Sequence, residues 1–491
     1  MIANASHCRV PHESPSVTDP AWLAETIFYQ IFPERFFNGD LSNDPSNKTP
    51  WGGKPELYNF FGGDLEGIRK KIPYLQDLGV NAIYLNPIFD APSNHKYDTR
   101  DYLRLSPEFG DFRTYLRLLR ELHQQGIRLI LDGVFNHTGD QFWAFRDVLL
   151  RQERSPYVKW FHCHGHPVCQ TPSPNYECWW GIGTLPKLNY AEPEVVRYIL
   201  RVVAFWTLTG IDGWRLDVPN EVTIRFWPIF RRLVKTLNPE AYIVGEIWED
   251  ASPWLDNKLF DAVMNYCWRD LVLQFFAYEH IDAAGFEAGL SSLRRQYSTE
   301  ITYSMFNLLG SHDTPRFLTM CGGRKDRMLL ALLFQFTYPG VPVVYYGDEI
   351  GMTGDKDPDC RKPMVWDETQ WDREIHKAVK TLIHLRRTRT VLQRGRYEPA
   401  VVTPGGLFGY TRTLQDERML ILFNRTEQLQ HISLPVDPQY RGHWRTVYPH
   451  EGTVANVGER WNLALPPKMG MIWEWSGRRS SARLSGGPVF V

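Results

Sequence analysis

Apolar positions along this chain follow two alternating rhythms. Short, β-rich apolar runs occur at "TIFYQIF" (26–32), "VNAIYLNPIF" (80–89), "IRLILDGVF" (127–135) and "IDGWRLDV" (211–218). Four more follow at "AYIVGEIW" (241–248), "FDAVMNY" (260–266), "TYSMFNLLGSHD" (302–313) and "VPVVYYGDEIG" (341–351). Between them lie stretches such as "LEGIRKKIPYLQDLG" (65–79), "FRTYLRLLRELHQQG" (112–126) and "PEVVRYILRVVAFWTLTG" (193–210). Their apolar residues recur at helical spacing. Repeated strand–helix units predict an α/β fold with a parallel sheet, and eight of them predict a closed (β/α)8 TIM barrel.

The rhythm breaks twice. Residues 138–190 show no clear helix–strand pair and are rich in His, Trp, Cys and Pro, so an inserted loop domain, B, is expected after the third strand. From about 395 the pattern becomes strands and turns ("GGLFGYTRT", "RMLILFNRT", "HISLPVD"), which predicts a C-terminal antiparallel β-sandwich, domain C. The expected organisation is an N-terminal extension (1–21), the barrel (22–137 and 191–394), domain B (138–190), domain C (395–476) and a tail (477–491).

Composition narrows the class. At 491 residues the chain exceeds what one core usually serves. Lys plus Arg number 55 and Asp plus Glu 56, a net charge of −1, which gives no electrostatic reason to expect nucleic acid or an anionic membrane as partner. No stretch reaches the ~18 apolar residues of a membrane span, and the N-terminus has no apolar h-region of a signal peptide. Seven scattered cysteines suit a reducing compartment better than a disulfide framework. The expectation is therefore cytoplasmic. The 18 Trp and 23 Tyr suit a large core and also the faces of sugar rings.

In such a barrel the C-terminal ends of the strands face the site. Four of those ends carry acids: Asp132, Asp217, Glu246 and Asp313. Asp217 and Glu246 are separated by about one strand–helix–strand unit, and Glu246 and Asp313 by about two. Converging carboxylates repel one another, so at least one pKa should rise, as a general acid at neutral pH requires. A single acid at a strand end is more often a cap or loop residue. Four in matching positions, with Arg215, His137 and His312, favour one site.

The motifs "DGVFNH" (132–137), "GWRLDV" (213–218), "GEIW" (245–248) and "LLGSHD" (308–313) resemble the signature regions of the α-amylase family, glycoside hydrolase family thirteen, and "LPKLN" (185–189) is similar to its fifth. "FYQIFPERFFNGD", "SNHKYDTRDY", "VPNE" and "DPDCRKPMVWDE" resemble the neopullulanase, cyclomaltodextrinase and maltogenic amylase group. The resemblance, which covers about 22–475, implies a retaining α-glucan hydrolase. Asp217 would be the nucleophile, Glu246 the acid/base and Asp313 the transition-state stabiliser. Arg215 would keep Asp217 ionised, Asp132 would orient Arg215, and His137 and His312 would bind hydroxyls of the ring being cleaved. Tyr97 and Trp248 match stacking platforms, Asn220 and Glu221 line the acceptor side, and Asp357 and Arg361 resemble a pair gripping a sugar on the non-reducing side. A core tyrosine and a surface ion pair are the bland readings of Tyr97 and of Asp357 with Arg361.

Two further clusters bear on metals. Asn38, Asp40, Asn43 and Asp44, with Asp64 and the Gly62 carbonyl, supply enough hard oxygens for calcium. An Asx-turn loop would use the same residues. Because the resembled group has a calcium site in this pattern, a structural calcium is expected, with no organic cofactor. "FHCHGHPVC" (161–169) with Cys178 invites zinc, but the spacing fits no standard finger and free thiols are favoured.

Departures from the group leave the specificity open. About twenty residues precede the first strand, where the group carries an N-terminal β-domain. The expectation is thus a monomer, or a homodimer not built by such a domain, with an open cleft that favours longer glucans. Pro219 stands where the group usually has alanine, which leaves α-1,4 against α-1,6 cleavage, and hydrolysis against transfer, undecided. The alternatives are a glucanotransferase or trehalose-forming isomerase, and a non-catalytic glucan-binding or transporter-associated protein, a class that characteristically lacks the catalytic acids.

Overall fold

In the computed structural model, which describes residues 20–452 and 454–476, eight parallel strands form one sheet. They are β1 (Phe28–Ile31), β2 (Ala82–Leu85), β3 (Arg128–Gly133), β4 (Gly213–Leu216), β5 (Tyr242–Gly245), β6 (Ala262–Val263), β7 (Phe306–Leu308) and β8 (Val341–Tyr345). Phe28 pairs with both Ala82 and Val343, and a parallel bridge from Met264 to Phe306 brings β6 against β7, closing the barrel. All eight fall within the runs named from the sequence. The reason is burial on both faces: nearly every strand residue is inaccessible, so the strands read as continuous apolar runs rather than alternating ones.

The helices Phe112–Gln124 and Pro193–Thr207 pack their apolar stripes on this sheet, and Gly79 (φ 94°) caps its helix in the left-handed conformation that glycine allows. One expectation needs correction. The helix expected at 65–79 is two helices, Leu65–Lys70 and Ile72–Leu78, broken at Lys71 because Pro73 opens a new first turn. The 138–190 insert holds one α-helix, Trp143–Arg151, with Ala144, Phe145 and Val148 buried, and no strand paired with it. Its short apolar stripe was hidden by the aromatic and polar residues around it. From Arg396 onward the strands form a six-stranded antiparallel sheet and a two-stranded sheet, Gln430–Pro435 with Arg460–Leu465. Their own core holds Leu422, Trp444, Trp461 and Trp473.

Residues 1–19 and the expected tail, 477–491, lie outside the described residues. Among the described residues no helix is long and apolar enough to cross a membrane.

Candidate active site

Register places the acids. Asp132 pairs with Arg215 across β3 and β4, the Asp217 amide bonds the Gly133 carbonyl, and the Glu246 amide bonds the Leu216 carbonyl. The three strand ends therefore stop at one level. Acids at the opposite barrel end serve the fold instead: Asp212 accepts from the Leu129 amide and Asp261 from the Ile243 amide.

The Arg215 guanidinium, fully buried, is the centre of the cluster. Its Nη1 donates to Asp132 Oδ1 at 2.8 Å and to Asp217 Oδ1 at 3.0 Å, and its Nη2 lies 2.7 Å from Glu246 Oε2. Burial raises the pKa of Asp217 well above the ordinary carboxylate range, against the pull of Arg215 and with the repulsion of Glu246 and Asp132. Burial raises Glu246 as well, again opposed by Arg215. Two carboxyls gripped by one guanidinium repel each other and titrate as a pair.

Val218, between Asp217 and Pro219, has φ 34° and ψ 52°. That left-handed backbone is strained for a β-branched residue, by roughly 1–3 kcal/mol. It turns the Val218 amide onto Glu246 Oε2 at 3.2 Å. The second oxygen, Oε1, receives the Trp248 indole at 3.3 Å.

A second chain of contacts leads to the rim. The Tyr84 and Tyr97 hydroxyls donate to Asp132 Oδ2 at 2.6 and 2.9 Å. The Tyr97 ring stacks on His312 at 5.5 Å and 2°, and its hydroxyl lies 2.6 Å from His312 Nε2. Gln30 Nε2 meets His312 Nδ1 at 2.9 Å, which leaves Nε2 to carry the ring proton. That nitrogen also lies 2.9 Å from Asp313 Oδ2. Enclosure works to raise the Asp313 pKa, but His312 and Arg361 outweigh it and hold the carboxyl below its usual range. Arg361 bridges Asp313 (3.0 Å) and Asp357 (3.2 Å), so Asp357 reaches the site through it.

Trp248 is half exposed and lies flat on Tyr266 (3.7 Å, 6°), with one face open. His137 is buried beside Trp179, and burial followed by the Lys187 charge lowers its pKa to about 3, so it is neutral at any physiological pH. Its Nε2 has no protein partner. Glu221 pairs with Lys187 at 3.0 Å, and Asn220 beside it is exposed. Gln30, Tyr84, Tyr266 and Asn86, whose Nδ2 donates to the Tyr97 hydroxyl at 3.0 Å, escaped the sequence reading. Each resembles a core residue until its partner, hundreds of positions away in some cases, is known.

The candidate metal loop is divided. Asn38 Nδ2 donates to Asp44 Oδ1 at 2.6 Å, and an added Cβ on Gly62 (φ 82°) would collide with both groups. Asn38 Oδ1 is buried and unpartnered, and the buried Asn43 amide lies beside the Asp64 carboxyl. This donor set of hard oxygens around a close backbone approach fits calcium. Three carboxylates of the loop have other partners as well: Asp44 pairs with Lys48, Asp40 Oδ1 accepts from the Ser42 amide and hydroxyl, and Asp64 caps the helix Leu65–Lys70. The insert's His and Cys residues form no such cage. Among the described residues no three His, Cys, Asp or Glu side chains are grouped to hold a metal, and the six described cysteines are free.

Residues 30–393 match the family described as "Alpha amylase, catalytic domain", and residues 402–472 match "Maltogenic Amylase, C-terminal domain". The chain is 47% identical to neopullulanase 2 of Thermoactinomyces vulgaris over 471 residues, which is 95% of this chain and 80% of that protein. It is 46% identical to a cyclomaltodextrinase of Geobacillus thermopakistaniensis, over 91% of this chain and 76% of the relative. Among solved structures it is similar to the cyclic α-maltosyl-(1→6)-maltose hydrolase of Arthrobacter globiformis in complex with that sugar. The TM-score is 0.85 and the identity 40%, over 93% of this chain and 100% of the other.

Proposed function

Because this chain belongs to the α-amylase family of glycoside hydrolases, we propose that it is a retaining α-glucan hydrolase acting on maltooligosaccharides, cyclodextrins and pullulan-type glucans. The observation that carries the reading is one buried guanidinium, that of Arg215, holding Asp132, Asp217 and Glu246 at 2.7–3.0 Å.

In this mechanism the pair's shared proton resides on Glu246, where the glycosidic oxygen receives it as the bond to the anomeric carbon breaks. Asp217, with Oδ1 held by Arg215, attacks that carbon through Oδ2 and forms a glycosyl ester. Glu246, now ionised, takes a proton from water. The water oxygen displaces Asp217, and two inversions give net retention. Asp313, kept anionic by His312 and Arg361, faces the positive charge that develops on the ring. His137 and His312 offer ring nitrogens to hydroxyls, and Tyr97 and Trp248 offer aromatic faces. Asn220 and Glu221 line the acceptor side, and Asp357 with Arg361 grips a sugar on the other.

Calcium, when bound, would be structural. Asn38, Asp40, Asn43, Asp44 and Asp64, with the Gly62 carbonyl, would hold it and tie the 38–44 loop to the segment leading into the helix Leu65–Lys70. A relative 43% identical over 86% of this chain, named an intracellular maltogenic amylase, supports a cytoplasmic location. Product analysis on cyclodextrin, pullulan and starch tests the function: maltose-series products are expected from cyclodextrin and starch, and trisaccharides from pullulan. Release of a trehalose-type isomer or of longer transfer products would replace hydrolysis with transfer, and no turnover would refute it.

A further inference from the structure

The wall formed by the 138–190 insert carries a ring that the mechanism leaves unused. Trp180 is 77% exposed, and its backbone is left-handed at φ 50°. Side chains larger than glycine rarely adopt that conformation, and a large apolar ring is rarely left in water at the same position. The indole does have a partner on one side. It stacks on Trp179 at 4.6 Å and 12°, and Trp179 stacks on His137 at 5.5 Å and 25°. Three rings thus form a ladder that begins at a buried residue of the site and ends in solvent. Trp179, in the middle, has neighbours for its ring faces; the outer face of Trp180 is the open one. Along the ladder, His137 Nε2 and the Trp179 indole nitrogen are both buried without a hydrogen-bond partner. Unmatched buried polar atoms are costly unless a ligand satisfies them.

An open aromatic face with adjacent unpartnered polar atoms is what a pyranose recognises: its C–H face stacks and its equatorial hydroxyls bond at the edge. We propose that Trp180 is the stacking platform for a glucosyl ring remote from the bond cleaved, on the insert side of the cleft, with Trp179 Nε1 donating to a hydroxyl of the ring nearer His137. This rests on the α-glucan reading above. It also explains the strained backbone, which holds the indole parallel to Trp179 instead of letting it fold back onto the insert.

The experiment compares kcat/KM for maltoheptaose with that for maltotriose in wild type, Trp180→Gly and Trp180→Phe. Glycine suits the left-handed turn, so Trp180→Gly should fold with an undiminished melting temperature. Its maltoheptaose-to-maltotriose ratio should fall about tenfold, about 1.4 kcal/mol, with the change in KM. Trp180→Phe should keep most of the ratio. A Trp180→Gly ratio equal to that of wild type, or an equal loss on both substrates, overturns the platform while leaving α-glucan hydrolysis standing. A wild type that cleaves neither sugar refutes the function, and the platform with it.

Discussion

Asp132→Asn removes one of the three carboxyl groups around Arg215, and its charge, with little change of shape. Asp132 and Asp217 accept from the same nitrogen, Arg215 Nη1, at 2.8 and 3.0 Å. Their oxygens therefore lie within about 6 Å of each other, where two charges at an effective dielectric of about 20 interact by roughly 3 kcal/mol. Asp132 is among the groups that raise the Asp217 pKa, so its removal lowers the pKa values of the Asp217–Glu246 pair. With partial screening the shift should be about 1–2 pH units. A bell-shaped kcat/KM profile has an acid limb set by the nucleophile ionising and an alkaline limb set by loss of the acid's proton. Both limbs should move to lower pH in Asp132→Asn, and the pH of maximal activity should fall with them. The assay is the pH profile of maltotriose hydrolysis for both proteins, with melting curves to confirm folding. The variant should also be less stable, by up to about 3–5 kcal/mol, since a buried pair is broken. An unchanged profile, or limbs displaced upward, would refute the electrostatic account of the cluster.

Asp217→Asn should lower kcat by several orders of magnitude with the fold intact, and near-normal turnover would remove Asp217 from the nucleophile's role. Glu349 is buried and accepts from the Tyr29 and Tyr74 hydroxyls, and burial raises its pKa from the ordinary 4.5 to about 7. The folded state thus binds more protons than the unfolded one between these values, so stability contributed by the neutral acid is lost as pH rises, by up to roughly 3 kcal/mol. Glu349→Gln should match wild type near pH 4.5 and melt progressively higher than wild type up to pH 8; parallel melting curves would contradict this. Chelator should lower the melting temperature by a few degrees, since binding at 100 times Kd contributes about 2.7 kcal/mol. Asn38→Ala should abolish that response, and no response in wild type would remove the calcium site.

The barrel was legible because its strands are buried on both faces and so stand out as apolar runs, each ending in turn residues. The acids were legible because strand ends share one mouth, and because the motifs around Asp217 and Glu246 are specific. What local pattern could not reveal were contacts made by distant segments. Gln30 and His312 look unrelated until β1 and the end of β7 are placed in one barrel. The helix Trp143–Arg151 was obscured because an insert this aromatic carries no clean helical period. The ladder of His137, Trp179 and Trp180 joins neighbours that the sequence shows only as two tryptophans in a loop.

The central claim is that Asp217 becomes covalently glycosylated while Glu246 serves as acid and base. Incubating Glu246→Gln with a reactive 5-fluoro-α-glucosyl fluoride should let the first step proceed and stall the second. Peptide mass spectrometry should then find one fluoroglucosyl group on the peptide containing "GWRLDV", on Asp217. A label on another carboxylate, or release of a β-anomeric product with no labelled intermediate, would contradict the account.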